Sequence, residues 1–244
     1  MSTQYKKFIF EDETPPIYFR PGTSDEIIIN ELIVKRKGYM FIHADPKLVF
    51  DIGSNIGVAA LVMSNVYPNA VIHCFEPEAE NFKLLEMNTA HLKERVVLYN
   101  VGLSNCAKKT TLYSSNDGTN HGGFSVEQDP SRNAMPHSEI TIHRMRDYIE
   151  ELGCPEILKI DCEGAEFDIL SDVPDLNKVL WIAGELHDVK SWELLALIHK
   201  THEINVAHPF GAKVWEFAAG NRAELFHNIA APRKGPTLAA VPPN

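Results

Sequence analysis

The chain has 244 residues, of which 44% are hydrophobic, enough to bury a full core in one large α/β domain. A formal net charge of −10, with no basic stripe beyond Lys35, Arg36 and Lys37, argues against nucleic acid as a partner, and no apolar run of about 18 residues marks a membrane span. The four cysteines, Cys74, Cys106, Cys154 and Cys162, lack paired spacing and read as free thiols, and the N-terminal stretch has no apolar signal core, so a cytoplasmic protein is expected.

In chain order, residues 1–46 read as an irregular and helical extension. Its helix runs from Asp25 to Val34, with Ser24 as N-cap, an acidic first turn, and Ile27, Ile28, Leu32 and Ile33 at helical spacing. Residues 47–219 then alternate between strand and helix. Strand Lys47–Ile52 leads to helix Ile56–Val66, strand Ala70–Phe75 to helix Glu78–Ala90, and strand Val96–Val101 to an extra strand, Lys109–Tyr113. From Ser114 to Ser138 the chain is rich in glycine, asparagine and serine and shows no hydrophobic period. A loop this long inside a domain is usually functional, and a lid is expected, with His121 and Phe124 beside Gly122 and Gly123 touching substrate. Strand Glu139–His143, helix Met145–Leu152, strand Glu156–Asp161, helix Glu163–Ser171, strand Val179–Leu186 and helix Trp192–Lys200 follow. A hairpin of Glu203–His208 with Lys213–Ala218, turning near Gly211, closes the domain before a surface tail, residues 220–244. Strand and helix in alternation imply a parallel sheet covered by helices on both faces.

The stretch from Leu48 to Gly57 carries the strongest functional signal. A buried strand runs into Gly53, Ser54, Asn55, Ile56 and Gly57 and then a helix, as in a nucleotide-type cofactor site. The two glycines allow close backbone approach to a ligand, and the next strand ends in Glu76, where a ribose-binding acid should fall. Asn55 replaces the middle glycine of G-x-G-x-x-G. That suits a cofactor bearing a carboxylate or amine, such as S-adenosylmethionine (SAM), better than a pyrophosphate, although the same pattern also serves a plain strand–turn–helix.

Ligands of open α/β sheets bind outside the carboxyl ends of the strands, and these ends are polar here: Asp51, Glu76, Asn100, Asp161 with Glu163, and Glu185 with His187. Lys159 shares a strand face with Asp161, and Glu185 shares one with His187, so neighbouring strands would bring the four together. A buried Lys159 needs a partner, and Glu185 is the expected one, the pair serving either catalysis or the ordering of the strand ends. Asp161 and His187 are read as substrate-facing groups, either one the base, with His187 titrating near neutral pH. A hard divalent metal on Asp161, Glu163, Glu185 and His187 ranks lower for want of a fixed ligand spacing, and no metal is expected.

Three segments together resemble the FkbM family of SAM-dependent methyltransferases: D-I-G-S-N-I-G from Asp51 to Gly57, Phe75-Glu76-Pro77, and L-K-I-D-C-E-G-A-E from Leu158 to Glu166. Arg20 to Asp25 and Glu185-Leu186-His187 extend the likeness. The resemblance implies a Rossmann-like class I methyltransferase fold, with a seven-stranded, mostly parallel sheet whose terminal strand is antiparallel. It implies SAM as cofactor, with Gly53 and Gly57 along its methionine part, Glu76 on the ribose hydroxyls and Asp161 near the sulfonium. Asp51, Ser54, Asn55 and Asn100 complete the expected cofactor site, and Asp161, His187, Glu185 and Lys159 the expected catalytic set. Family members mostly methylate oxygen on sugars, polyketides or other small metabolites, and some methylate amide nitrogen on peptides. The expected reaction is methyl transfer to a hydroxyl of a small-molecule acceptor, with N-methylation as the alternative and the oligomeric state open. A nicotinamide oxidoreductase is disfavoured, because no tyrosine precedes a lysine by four residues, and a non-catalytic binding module is disfavoured by the retained Glu76 and polar strand ends.

Overall fold

The computed structural model describes residues 5–11, 14–36, 39, 41, 42, 44–114, 118–128, 134–187, 190–207 and 215–223. Two short strands, β1 (Lys6–Phe8) and β2 (Ile17–Phe19), pair antiparallel at the start. Helix α1 (Ser24–Ile29) follows, and Thr23 rather than Ser24 caps it by accepting the Asp25 N–H. The expected single helix to Val34 changes pitch at Asn30, whose carbonyl accepts the N–H of Lys35 in a π-helical turn, Asn30–Val34.

The domain then runs β3 (Leu48–Ile52), α2 (Val58–Val66), β4 (Val71–Phe75), α3 (Ala79–Thr89), β5 (Val96–Tyr99), β6 (Gly102–Ser104), β7 (Lys108–Ser114) and β8 (Met135–Arg144). It continues with α4 (Met145–Leu152), β9 (Ile157–Ile160), α5 (Glu166–Ser171), β10 (Trp181–Leu186), α6 (Ser191–Ile198), β11 (His202–Ala207) and β12 (Trp215–Asn221). The main sheet has the order β11-β12-β10-β9-β3-β4-β5, with β12 antiparallel to both neighbours and the β10-β9-β3-β4-β5 pairs parallel. The terminal hairpin forms as expected, although β12 extends to Asn221, two residues past the expected domain end. The turn proposed near Gly211 and most of the tail lie outside the described residues.

Parallel strands covered on both faces must be apolar on both faces, and β3 shows how they divide the core. Val49 enters one cluster with Ala60 and Met63 of α2 and Leu84 and Leu85 of α3, whereas Phe50 and Ile52 enter a second with Met145 of α4, Ile169 of α5 and Leu194 of α6. The extra strand and the strand from Glu139 belong to a separate sheet of order β6-β8-β7. The loop expected over Ser114–Ser138 is therefore shorter, because β7 includes Ser114 and β8 begins at Met135. Tyr113 and Ser125 are also bridged by two backbone bonds of 2.8 and 3.0 Å. Met135, Pro136, His137 and Glu139 are exposed, so the start of β8 pairs through its backbone and leaves no hydrophobic period to read.

Candidate active site

A cleft of about 2030 Å³ opens at the carboxyl ends of the main strands, lined among others by Gly53, Asn55, Glu76, Asp161, Glu163 and Glu185. Topology explains the gathering. β3 lies between β4 and β9, and its connection leads to one side of the sheet while that of β9 leads to the other, which opens a crevice at the switch.

At the end of β3 the glycine turn is tightly wedged. Gly53 has φ +75° and its Cα faces the Asp161 carbonyl so closely that a Cβ would lie 1.8 Å from that oxygen. Gly57, at φ +88°, faces the Leu85 side chain of α3, 2.7 Å from where a Cβ would sit. Both glycines thus serve contacts within the chain, and only Gly53 also lines the cleft. Asn55 takes the left-handed backbone at φ +50°, and its N–H donates to Glu76 Oε2 at 2.8 Å. Glu76 Oε1 accepts the Glu78 N–H at 2.9 Å, and burial pushes the Glu76 carboxyl up to about 7 despite these bonds. Ser54 donates through Oγ to the Asp51 carbonyl at 2.7 Å. Asn100 is exposed and braces the exit of β4, donating to the carbonyls of Glu76 and Pro77 at 2.8 and 3.2 Å.

Lys159 does not pair with Glu185. Parallel register sets it beside Asp51, and its Nζ lies 3.2 Å from Asp51 Oδ1, also donating to the carbonyls of Ile52 and Gly53 at 3.3 and 2.5 Å. Burial opposes the ammonium charge, but Asp51 and Asp161 outweigh it and raise the pKa above the ordinary lysine value. With side chains 2% and 0% exposed, Lys159 and Asp51 form a buried ion pair in place of the expected pair of Lys159 with Glu185.

The ends of β9 and β10 do converge, as neighbouring strands require. His187 Nδ1 lies 2.9 Å from Glu166 Oε1, while Nε2 lies 3.1 Å from Glu185 Oε2, 3.6 Å from Asp161 Oδ1 and 3.7 Å from Glu163 Oε1. Burial disfavours the charged ring, yet the bonds to Glu166 and Glu185 and the nearby Asp161 and Glu163 outweigh it, and the pKa is pushed up to about 12. This favours the imidazolium, which has no free lone pair, and runs against the expected titration of His187 near neutral pH. Glu185 shifts upward, chiefly through burial and then through Asp161.

Two residues of this site were not assigned roles from sequence. Glu166, at the start of α5, accepts the N–H groups of Cys162 and Gly164 at 2.9 and 3.0 Å, so it shapes the turn through Glu163 while holding His187. Its position in the L-K-I-D-C-E-G-A-E motif was the available signal. Tyr39 is buried and donates its hydroxyl to Asp161 Oδ2, with the Lys159 ammonium 5.1 Å from its ring centre. Burial and the carboxylates of Asp161 and Glu185 hold that hydroxyl well above its usual pKa, which keeps it a donor. No local pattern singles Tyr39 out, and the neighbouring Lys35 and Arg36 are exposed at the rim of the cleft.

The segment 118–128 crosses the cleft from the β7–β8 connection. Ser24 Oγ accepts the N–H groups of His121 and Gly122 at 2.9 and 3.1 Å, and the His121 carbonyl accepts from Asn81 Nδ2 at 2.9 Å. Asn81 is itself fixed by Arg20, which makes 2.8 Å contacts to both oxygens of Asp25, the residue after Ser24, and a 2.6 Å bond to Asn81 Oδ1. The Arg20–Asp25 segment is thus a buried brace. Gly122 and Phe124 line the cleft, whereas His121 is held by its backbone behind it. Residues 115–117 and 129–133 of the expected lid lie outside the described residues.

Among the described residues, no helix is long and apolar enough to cross a membrane. The strand order, the reversed β12 and the glycine turn at the switch of the sheet define a Rossmann-like class I methyltransferase fold. A family model described as the methyltransferase FkbM domain matches residues 51–218, and the chain belongs to that family. Three curated relatives are similar. The AMB antimetabolite synthetase AmbE of Pseudomonas aeruginosa is 29% identical over 199 residues, which is 67% of this chain and 9% of AmbE. Methyltransferase 1 of Beauveria bassiana is 26% identical over 65% of this chain and 72% of its own length. The 31-O-demethyl-FK506 methyltransferase FkbM of Streptomyces tacrolimicus is 26% identical over 62% of this chain and 70% of its own. Among solved structures, precorrin-6Y C5,15-methyltransferase of Geobacter metallireducens covers 80% of this chain and 87% of its own at 12% identity, with a TM-score of 0.45. The fold assignment rests on strand order and direction rather than on that overlay.

Proposed function

We propose that the protein transfers a methyl group from SAM to a hydroxyl of a small-molecule acceptor. The observation that carries this reading is that one cleft holds both Glu76 with Asn55, at the ends of β4 and β3, and Asp161 with Glu185, at the ends of β9 and β10. The residues fit the cofactor. Glu76 uses one lone pair of each oxygen on backbone N–H groups, which leaves acceptor capacity for ribose hydroxyls, and Asn55 Oδ1 is a buried oxygen without a partner, suited to a donor on the ligand. SAM, when bound, supplies a methyl group on a sulfonium for in-line displacement.

The protein's part is chiefly positioning. Tyr39 orients Asp161 toward the cleft, Asp161 and Glu185 place negative charge beside the methyl donor, and Glu185 takes up the hydroxyl proton as the acceptor oxygen attacks. Val101, Leu103, Leu112, Phe124, Ile140 and Ile142 form an apolar wall for the acceptor's body. An oxygen acceptor is also supported by the FkbM relative, whose name specifies a 31-O-demethyl substrate. Incubation with SAM and a panel of hydroxylated and amine metabolites, read by mass spectrometry, tests the reaction. The expected product carries one added methyl on oxygen, and a product methylated on nitrogen replaces the acceptor assignment. Calorimetry with S-adenosylhomocysteine tests the binding end, where Glu76→Ala should weaken affinity by about 1.5–3 kcal/mol.

A further inference from the structure

We infer that Ser24 and Asn81 are positioning residues for the cofactor, fastening the crossing segment at His121 and Gly122 as a cover over the Glu76 and Asn55 end of the cleft. The inference rests on the methyl-transfer reading, which puts SAM at that end, and it gives a role to the Arg20–Asp25 segment, which that reading leaves without one.

The stretch from Arg20 to Asp25 is arranged to present polar groups to that segment. Arg20 and Asp25 pair with side chains 5% and 0% exposed, and the Arg20 backbone N–H also donates to Asp25 Oδ2 at 2.9 Å. Thr23 caps α1, so the Ser24 hydroxyl is not needed there and is left to accept from His121 and Gly122. A guanidinium can only donate, so its bond turns Asn81 Oδ1 toward Arg20 and leaves the Asn81 amide group to donate to the His121 carbonyl. The Thr119 carbonyl adds a further tie by accepting the Ser24 N–H at 2.9 Å.

The fastened backbone lies against the two residues assigned to the cofactor. A Cβ at Gly122 would stand 3.4 Å from Asn55 Nδ2 and 3.8 Å from Ser24 Oγ. Asn55 in turn donates to Glu76, and the Asn81 side chain favours the charged form of Glu76. Ser24, Asn81, Asn120 and Gly122 line the same cleft as Glu76 and Asn55. Farther along, Ser125 is bridged to Tyr113 of β7 and donates through Oγ to the Glu163 carbonyl at 2.8 Å, so the segment passes from the cofactor end to the β9 end. Ser24 and Asn81 belong to α1 and α3, outside the small sheet from which the segment departs, and Gly122 is exposed. The cover can therefore lift at Gly122 by opening these few bonds, with the core intact.

S-adenosylhomocysteine is the probe, used on the full chain. Coupling is reciprocal, so a cover that retains the ligand must itself be retained by it. Saturating S-adenosylhomocysteine should slow hydrogen exchange at His121 and Gly122 by about 3–10-fold, and Ser24→Ala should speed ligand release by a similar factor, as expected for a lost hydrogen bond. Asn81→Ala should speed release at least as much. Ser24→Thr keeps the hydroxyl and should release at the wild-type rate, and an unchanged unfolding temperature in Ser24→Ala separates the bond from a general loss of structure. Exchange that the ligand leaves unaltered overturns the inference, as does release from Ser24→Ala at the wild-type rate; in both cases S-adenosylhomocysteine still binds and the methyl-transfer reading stands. A wild-type chain that does not bind S-adenosylhomocysteine removes that reading, and the cofactor role of the cover with it.

Discussion

The ends of β3 and of β9 with β10 lie side by side in one sheet, yet they handle negative charge in opposite ways. At β3, Asp51 is buried with its own lysine and shut off from the cleft, and the glycine turn packs against the Asp161 carbonyl. At β9 and β10, carboxylates crowd around a single imidazole and three of them open to the cleft. A balanced, sealed pair orders the strand ends, whereas an unbalanced group facing a cavity stores electrostatic potential that a ligand can use. The contrast separates two kinds of acid that look alike in the sequence.

The strongest way to break this comparison is to remove the lysine. Lys159→Met leaves Asp51 buried without its cation and should destabilise the fold by about 3–5 kcal/mol. Combining it with Asp51→Asn should recover much of that loss in thermal unfolding. A single variant as stable as the wild type would show that the pair is not what holds the β3 end.

Glu76 sharpens the comparison through pH. Its folded pKa of about 7 lies above the ordinary 4.5, so between these values the folded chain holds more protons than the unfolded one. Stability should therefore fall as pH rises through that window and level off above it, the full swing being on the order of 3 kcal/mol for this group. The unfolding temperature of Glu76→Gln should lose this slope, and an unchanged slope would assign it to other groups.

A smaller effect is expected at Tyr39. Tyr39→Phe removes the hydroxyl that orients Asp161, a hydrogen bond whose net contribution is about 0.5–1.5 kcal/mol. Turnover should drop while S-adenosylhomocysteine affinity stays near wild type, since Tyr39 acts through Asp161. Equal losses in both would move Tyr39 to the cofactor end of the cleft.

The smallest change tests whether the crossing segment acts as a lid. Ser24→Ala takes away the acceptor for two backbone N–H groups and should speed hydrogen exchange at His121 and Gly122, with little change in global stability. Exchange at wild-type rates would mean that the segment's other bonds, such as that from Asn81 to the His121 carbonyl, are enough to hold it.

Most of the main sheet was legible from the chain because it rests on local signals. Buried strands read as apolar runs, helices as spaced apolar residues, and the turn after β3 as glycines at positive φ. The small sheet was only half legible, since exposed strand residues that pair by backbone leave no periodic trace. The cleft's acids were visible for a similar reason, as each one ends a strand. Their division of labour was not, and the guess that Lys159 answers Glu185 failed on register, which aligns Lys159 with Asp51 across β3 and β9.

By itself the sequence determined the fold class, the glycine turn, Glu76 at the next strand end, and the presence of Asp161, Glu185 and His187 at strand ends. Tertiary structure decided which charges meet. Tyr39 reaches Asp161 across 122 residues, and Glu166 reaches His187 across 21, the latter because β9 and β10 pair side by side. Burial then separates side chains of the same chemistry. The carboxylate that meets its cation in a sealed core becomes part of the scaffold, and those left in excess at the cleft become the site, because the penalty for desolvating a charge depends on surroundings that no local pattern contains.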